Sequence, residues 1–133
     1  MNTVESESAL RQIGDVAEEV GLSLRTIRYY GEVGLVPPSD HTHGGFRLYT
    51  DQDVRRLLLI KHMKPLDFTL EEIGEALGIL DDLKSDLPRA KRAERSERLR
   101  QIVSLTQERV TQLSKQLRAA KSLIETLTSE VGD

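Results

Sequence analysis

The stretch "SLRTIRYYGEVGLVPP", residues 23–38, decides how the rest of the chain is read. Ser23 is a good N-cap, because its hydroxyl can accept a hydrogen bond from a first-turn backbone N–H. The spacing predicts a helix from Leu24 to about Val33, stopped by Gly34 and barred from continuing by Pro37 and Pro38. Just upstream, Ile13, Val16, Ala17 and Val20 recur at helical spacing, and Gly21 supplies a C-terminal stop. Two short helices around a three-to-four-residue turn make a helix-turn-helix pattern, which alone is weak because many helical pairs fit it.

Downstream, "LVPPSDHTHGGFRLYT" carries a turn signal at Gly44-Gly45 and an alternating, strand-prone "FRLY". Residues 35–49 are therefore expected to form a β-hairpin, a wing beside the helices. Thr50 and Asp53 have capping-box spacing for a helix that runs through Val54, Leu57, Leu58 and Lys61 to about Lys64 and stops at Pro65. Thr69 and Glu72 repeat that spacing ahead of a helix from Leu70 to about Ile79, with Ile73 and Leu77 facing inward. Residues 81–88 read as an acidic linker.

From Arg89 there is no Gly or Pro until Gly132. Leu99, Val103, Thr106, Val110, Leu113, Leu117, Ala120, Ile124, Leu127 and Val131 alternate four and three apart, and only Thr106 is polar. That is a coiled-coil seam. A single helix cannot bury such a seam, so residues 89–131 are expected to pair with a second copy, through Leu99, Val103, Val110, Leu113, Leu117, Ala120, Ile124 and Leu127 above all.

Composition excludes several function classes. The 133 residues hold 38% hydrophobic types, 4% aromatics and no Trp, which suits one modest domain with an appendage whose burial a partner chain completes. The absence of cysteine removes disulfides, thiolate metal sites and iron–sulfur ligation. No apolar run approaches the roughly 18 residues of a membrane span. "MNTVESESALRQ" lacks a basic and apolar leader pattern; residues 1–11 read as a disordered tail, and the chain is expected to be cytoplasmic. No nucleophile–base pair or phosphate-cradling Gly loop is present, so an enzyme is not expected. His41, His43 and His62 have no cysteine beside them and no ligand spacing on a helix, and no metal or other cofactor is expected.

The net charge of −3 argues mildly against a nucleic-acid binder, until it is divided. Residues 67–88 hold one Lys against seven acids, residues 11–66 hold eight Lys/Arg against seven acids, and residues 89–133 hold ten against six. The acid is concentrated mid-chain, so local fields matter more than the total. Within the second helix, Arg25 and Arg28 share a face. Arg can fork onto guanine O6/N7 or onto phosphate. Ser23, Leu24, Arg25 and Thr26 stand at the helix start, the end that reaches base edges in helix-turn-helix docking. Tyr29 and Tyr30 can donate to phosphates, though either one can equally be a core residue. Arg89, Lys91, Arg92, Arg95, Arg98 and Arg100 are read as a solvated face or as partners of the 67–88 acids rather than as a nucleic-acid patch.

In this order, "RTIRYY", "GGFRLYT", a helix ending "KHMKPL", "FTLEEI" and a long terminal helix resemble the MerR family of bacterial transcription regulators, closely over residues 13–79 and in architecture beyond. The resemblance implies a mostly α fold with a small β wing, a winged helix-turn-helix domain at residues 12–80, and a C-terminal antiparallel coiled coil that makes a homodimer. It implies that the second helix enters the major groove of double-stranded DNA while the wing grips the flanking backbone. Such dimers distort an over-long promoter spacer for RNA polymerase, and some only repress. By the same resemblance, Tyr29, Tyr30, Arg47 and Lys64 contact the DNA backbone, and Phe46 and Tyr49 match the wing's aromatic positions. His43, a loop residue that can reach phosphate, and Lys61, ambiguous on its own, complete the candidate DNA contacts.

Two departures stand out. Ser39 and Asp40 occupy the place where the family usually offers an Arg after the prolines, leaving His41 and His43 as substitutes. Asp67 stands where relatives often carry Gly, which raises the question of strain in that turn. Few residues follow the long helix, so metal or redox sensing of the usual family kind is not expected. Two other readings stay open: an architectural DNA-bending protein without promoter choice, and a coiled-coil adaptor that has lost DNA binding.

Overall fold

The computed structural model describes residues 10–132. It divides into two compact units, one ending at Leu77 and the other beginning at Gly78. The first unit opens with a strand, β1 (Arg11–Gln12), and helices α1 (Ile13–Val20) and α2 (Leu24–Glu32). Strands β2 (Asp40–His41) and β3 (Arg47–Tyr49) follow, then α3 (Asp51–Met63) and a 3-10 turn (Lys64–Leu66). Helix α4 (Leu70–Lys84) runs through the division, and α5 (Arg89–Val131) belongs to the second unit. This is the mostly helical, winged helix-turn-helix architecture with a long terminal helix that the sequence predicts.

Each helix of the first unit starts and stops for a local reason. Gly21 closes α1 with φ 71°, a left-handed conformation that glycine adopts freely, and its N–H donates to the Ala17 carbonyl. The Ser23 hydroxyl caps α2 by accepting from Thr26 N–H at 3.0 Å. Leu35 and Val36 N–H both donate to the Tyr30 carbonyl, turning the chain out of α2, and Arg56 holds that turn by donating to the Leu35 carbonyl at 3.2 Å. Thr50 and Asp53 form a complete capping box on α3. The apolar rows then meet. Val16, Val20, Ile27, Val36, Leu57, Ile60 and Ile73 are all within 1% of full burial. At Gly74 α4 passes close to Leu35: a β-carbon there would meet Leu35 Cδ2 at 3.2 Å, and that side chain would have to give way.

The sheet has one strand more than the hairpin predicted. Its order is β1-β3-β2, antiparallel throughout, with Arg11 opposite Tyr49 and His41 opposite Arg47. Arg11 therefore belongs to the sheet and not to a disordered tail; its guanidinium pairs with Asp51 at 2.5 Å and Glu19 at 3.4 Å. A two-residue Arg-Gln strand has no periodicity to read, so only its partner strand reveals it. The rest of the expected tail, residues 1–9, lies outside the described residues.

The boundary at the other end also moves. Helix α4 continues to Lys84, so residues 81–84 of the expected linker are helical and only residues 85–88 connect the last two helices. Gly78 lowers helix propensity without ending the helix, and the fully buried Ile79 beside it keeps the row going. Arg92 then takes up the end of α4, donating to the carbonyls of Leu83 at 2.9 Å and Ser85 at 2.7 Å, while Arg95 pairs with Asp82 at 3.1 Å. The basic cluster at the start of α5 thus does include partners for the mid-chain acids.

Helix α5 has 43 residues. At ~1.5 Å per residue it is about 65 Å long. Along it Val103, Val110, Leu113, Leu117, Ile124 and Leu127 are 45–62% exposed. Leu99 is half-buried. A row of large apolar side chains left in water over such a length marks an interaction surface rather than a finished helix.

Candidate nucleic-acid interface

The candidate interface is made by α2 and the wing. On α2, burial sorts the residues by face. Ile27 is fully buried and Tyr30 is 7% exposed, whereas Leu24 is 40% and Tyr29 45% exposed, and Arg25 and Arg28 stand in solvent. The tyrosine pair is thereby divided: Tyr29 is the surface residue and Tyr30 the core residue, their rings 5.7 Å apart and tilted by 54°. Burial, with a smaller contribution from Tyr29, pushes the Tyr30 phenol above its ordinary pKa. Four residues on from Thr26 and three from Ile27, the Tyr30 ring packs into the core, so only its edge is left to meet a duplex. Ser23 and Thr26 are occupied with each other at the helix start, hydroxyl to hydroxyl at 2.8 Å, which sets the orientation of the exposed turn.

The wing tip is closed by its own backbone. Thr42 N–H donates to the Phe46 carbonyl at 2.9 Å and its hydroxyl accepts from Phe46 N–H at 3.1 Å. Gly45 turns with φ 84°. The Phe46 ring is 64% exposed at this tip and carries no hydroxyl, so it can offer apolar contact to sugars or bases but no hydrogen bond. His41 and His43 are exposed beside it.

The base of the wing joins the two parts. Tyr49 is fully buried, and its hydroxyl and the Arg47 guanidinium nitrogen Nη1 are both shut away from solvent within reach of each other. Burial raises the Tyr49 pKa, the positive charges of Arg47 and Arg28 pull it back down, and the Asp53 carboxylate pushes it up. The helix arginine, the wing arginine and the buried phenol are therefore within electrostatic reach of one another. Tyr49 as a direct DNA contact is corrected, because a side chain with no accessible surface cannot touch a duplex. It packs beneath the wing and supports Arg47.

Of the remaining expected contacts, Lys64 is exposed at the end of α3. Lys61 is not free: its ammonium donates to the Val20 carbonyl at 2.7 Å, completing the C-terminus of α1. That gives it a structural task, one that a sequence separation of 41 residues conceals. Among the described residues, no group of three His, Cys, Asp or Glu could hold a metal ion, and no helix is long and apolar enough to cross a membrane.

A family model described as "MerR HTH family regulatory protein" matches residues 11–78, and a second, described as "MerR, DNA binding", matches residues 54–129. The chain belongs to the MerR family. That is a family of transcription regulators, not of enzymes. The mercuric resistance operon regulatory protein of Bacillus cereus is 46% identical over 70 residues, which span 53% of this MerR-family chain and 53% of that regulator. Among solved structures, MtaN, the N-terminus of the Bacillus subtilis multidrug transporter activator, is 30% identical with a TM-score of 0.53, covering 92% of this chain and 99% of that one. HiNmlR, described as a MerR family regulator lacking the sensor domain and bound to promoter DNA, shares the fold at 22% identity with a TM-score of 0.68, over 90% and 88% of the two chains.

Proposed function

We propose that this MerR-family chain is a dimeric, sequence-specific regulator that binds a two-fold promoter operator and distorts its spacer to control transcription. The observation that carries the reading is that Arg28 on α2 and Arg47 on the wing, two guanidinium groups from separate elements with no ion pair among the described residues, both lie within electrostatic reach of one buried phenol, Tyr49. Such a pair can straddle the phosphates at the edge of the groove that α2 enters, with Arg25 and Leu24 toward base edges and Tyr29, Lys64 and His43 toward the backbone. The exposed seam of α5 supports pairing with a second copy as an antiparallel coiled coil, which brings two such surfaces to one duplex. HiNmlR, which shares the fold, is bound to promoter DNA, and another relative in fold is seen in an open promoter complex; on this reading RNA polymerase is the partner at the promoter.

The test is selection from a randomised duplex library, followed by anisotropy titrations of the selected duplex and a scrambled one over a range of salt. Specific binders hold their site roughly 10³-fold or more above non-specific DNA. A ratio near one would support an architectural bending protein instead, and no binding to any duplex would overturn the DNA-binding reading.

A further inference from the structure

We propose that Ser39, through the buried carboxylate of Asp53, is a positioning residue for the wing, and that in this chain it stands in for the arginine that the resemblance leads one to expect after the prolines. The inference rests on the DNA-binding reading above and deepens it.

Asp53 is 8% exposed, the one charged residue so buried among the described residues. Its Oδ2 accepts two hydrogen bonds, from the Ser39 hydroxyl at 2.6 Å and from Thr50 N–H at 2.9 Å. The second bond belongs to the capping box of α3. The first does not: it comes from the segment entering β2, 14 residues earlier. Ser39 N–H in turn donates to the Leu48 carbonyl at 2.9 Å, extending the β2–β3 ladder by one rung. One carboxylate oxygen thus ties the first residue of the hairpin to the start of the helix that follows it, on both sides of Arg47 and Tyr49. A carboxylate acceptor makes such bonds about twice as strong as a neutral one does.

The consequence concerns the angle of the wing. A two-stranded hairpin with strands of two and three residues is too short to hold its own tilt. Here β1 braces one edge and the Ser39–Asp53 bond braces the other. An arginine at position 39 would offer a mobile cation at the base of the hairpin; the short serine gives its hydroxyl to Asp53 and fixes the frame that carries Arg47. Loss of that hydroxyl therefore removes Arg47's phosphate contact indirectly.

The test uses the full chain with Ser39→Ala, Ser39→Thr, Arg47→Ala and the double variant Ser39→Ala/Arg47→Ala, titrated on the duplex selected above at several salt concentrations. Ser39→Ala should weaken binding roughly tenfold, the lower end for a lost hydrogen bond to a charged group. It should also flatten the salt slope by roughly one phosphate, as Arg47→Ala does. Ser39→Thr, which keeps the hydroxyl, should restore both, and the double variant should lose no more than Arg47→Ala alone. A Ser39→Ala protein with a lower melting temperature but an unchanged salt slope would overturn the proposal in favour of a purely stabilising bond. So would independent, additive losses in the double variant. If the unaltered chain binds no duplex, it is the underlying reading that fails; if Arg47→Ala alone weakens binding, that reading stands and the clamp does not.

Discussion

Replacing Asp67 by glycine should make this protein more stable. Asp67 is the one non-glycine residue with positive φ among the described residues, at φ 65° and ψ 26°, and it closes the 3-10 turn Lys64–Leu66 through its N–H to the Lys64 carbonyl. A β-carbon in that left-handed conformation costs about 1–2 kcal/mol. Glycine removes the strain but brings back about 0.4–1 kcal/mol of unfolded-chain entropy. The carboxylate makes no hydrogen bond among the described residues that would be lost. It does sit just before α4, where an acid gains about 0.3 kcal/mol from the helix dipole. Taken at the middle of these ranges, the balance favours Asp67→Gly by about 0.5 kcal/mol, or roughly 2–4 °C in melting temperature for a domain of this size. Thermal unfolding followed by circular dichroism, at matched protein concentration because a dimer's midpoint depends on it, reads the shift. Asp67→Ala keeps the β-carbon and should gain nothing. A glycine variant that melts at or below the unaltered chain, with alanine indistinguishable from it, would show that the turn carries no strain worth relieving.

Four further outcomes are expected. Lys61→Met should lower stability by about 0.5–1.5 kcal/mol through loss of the bond to the Val20 carbonyl while leaving the salt slope of DNA binding alone; a flattened slope would return Lys61 to the DNA surface. Lys64→Ala should do the reverse, weakening binding on all sequences alike and flattening the slope by roughly one unit at unchanged melting temperature. Arg28→Ala should weaken binding on all sequences alike and flatten the salt slope by roughly one unit; relaxed selection at one operator position on repeating the library selection would make it a base reader instead. Leu117→Lys places a charge on the exposed seam of α5 and should give monomers by sedimentation with operator affinity collapsing; a variant that stays dimeric would relocate the seam.

Much of the fold was legible because its signals are local. Gly21, Ser23, Gly34, Thr50 with Asp53, and Thr69 with Glu72 each act within a turn of themselves, and the structure uses them as caps or stops. The exposed seam was legible because it repeats. What could not be read depends on long separations or on depth. The strand at Arg11–Gln12 exists only because β3 lies beside it, 38 residues on from Arg11 at Tyr49. Tyr29 and Tyr30 are chemically identical, and only the position of the core tells which ring is exposed. Tyr49 matched a family position and Lys61 was ambiguous by type; burial takes the first into the core, and a carbonyl at the end of α1 engages the second.

The same bookkeeping of occupied groups resolves the contradiction of an acidic chain with a nucleic-acid fold. Net charge counts every cation equally, but the fold consumes many of them. Arg11 is spent on Asp51 and Glu19, Arg56 on the Leu35 carbonyl, Lys61 on Val20, Arg92 on the end of α4, Arg95 on Asp82 and Arg100 on Glu97. Arg25, Arg28, Arg47 and Lys64 form no ion pair among the described residues, and all lie on α2, the wing or the end of α3. A duplex approaching this surface therefore meets cations that no internal acid competes for, while the seven acids of residues 67–88 lie outside α2 and the wing. Affinity for phosphate is set by the cations left over after folding, not by the chain's total of −3.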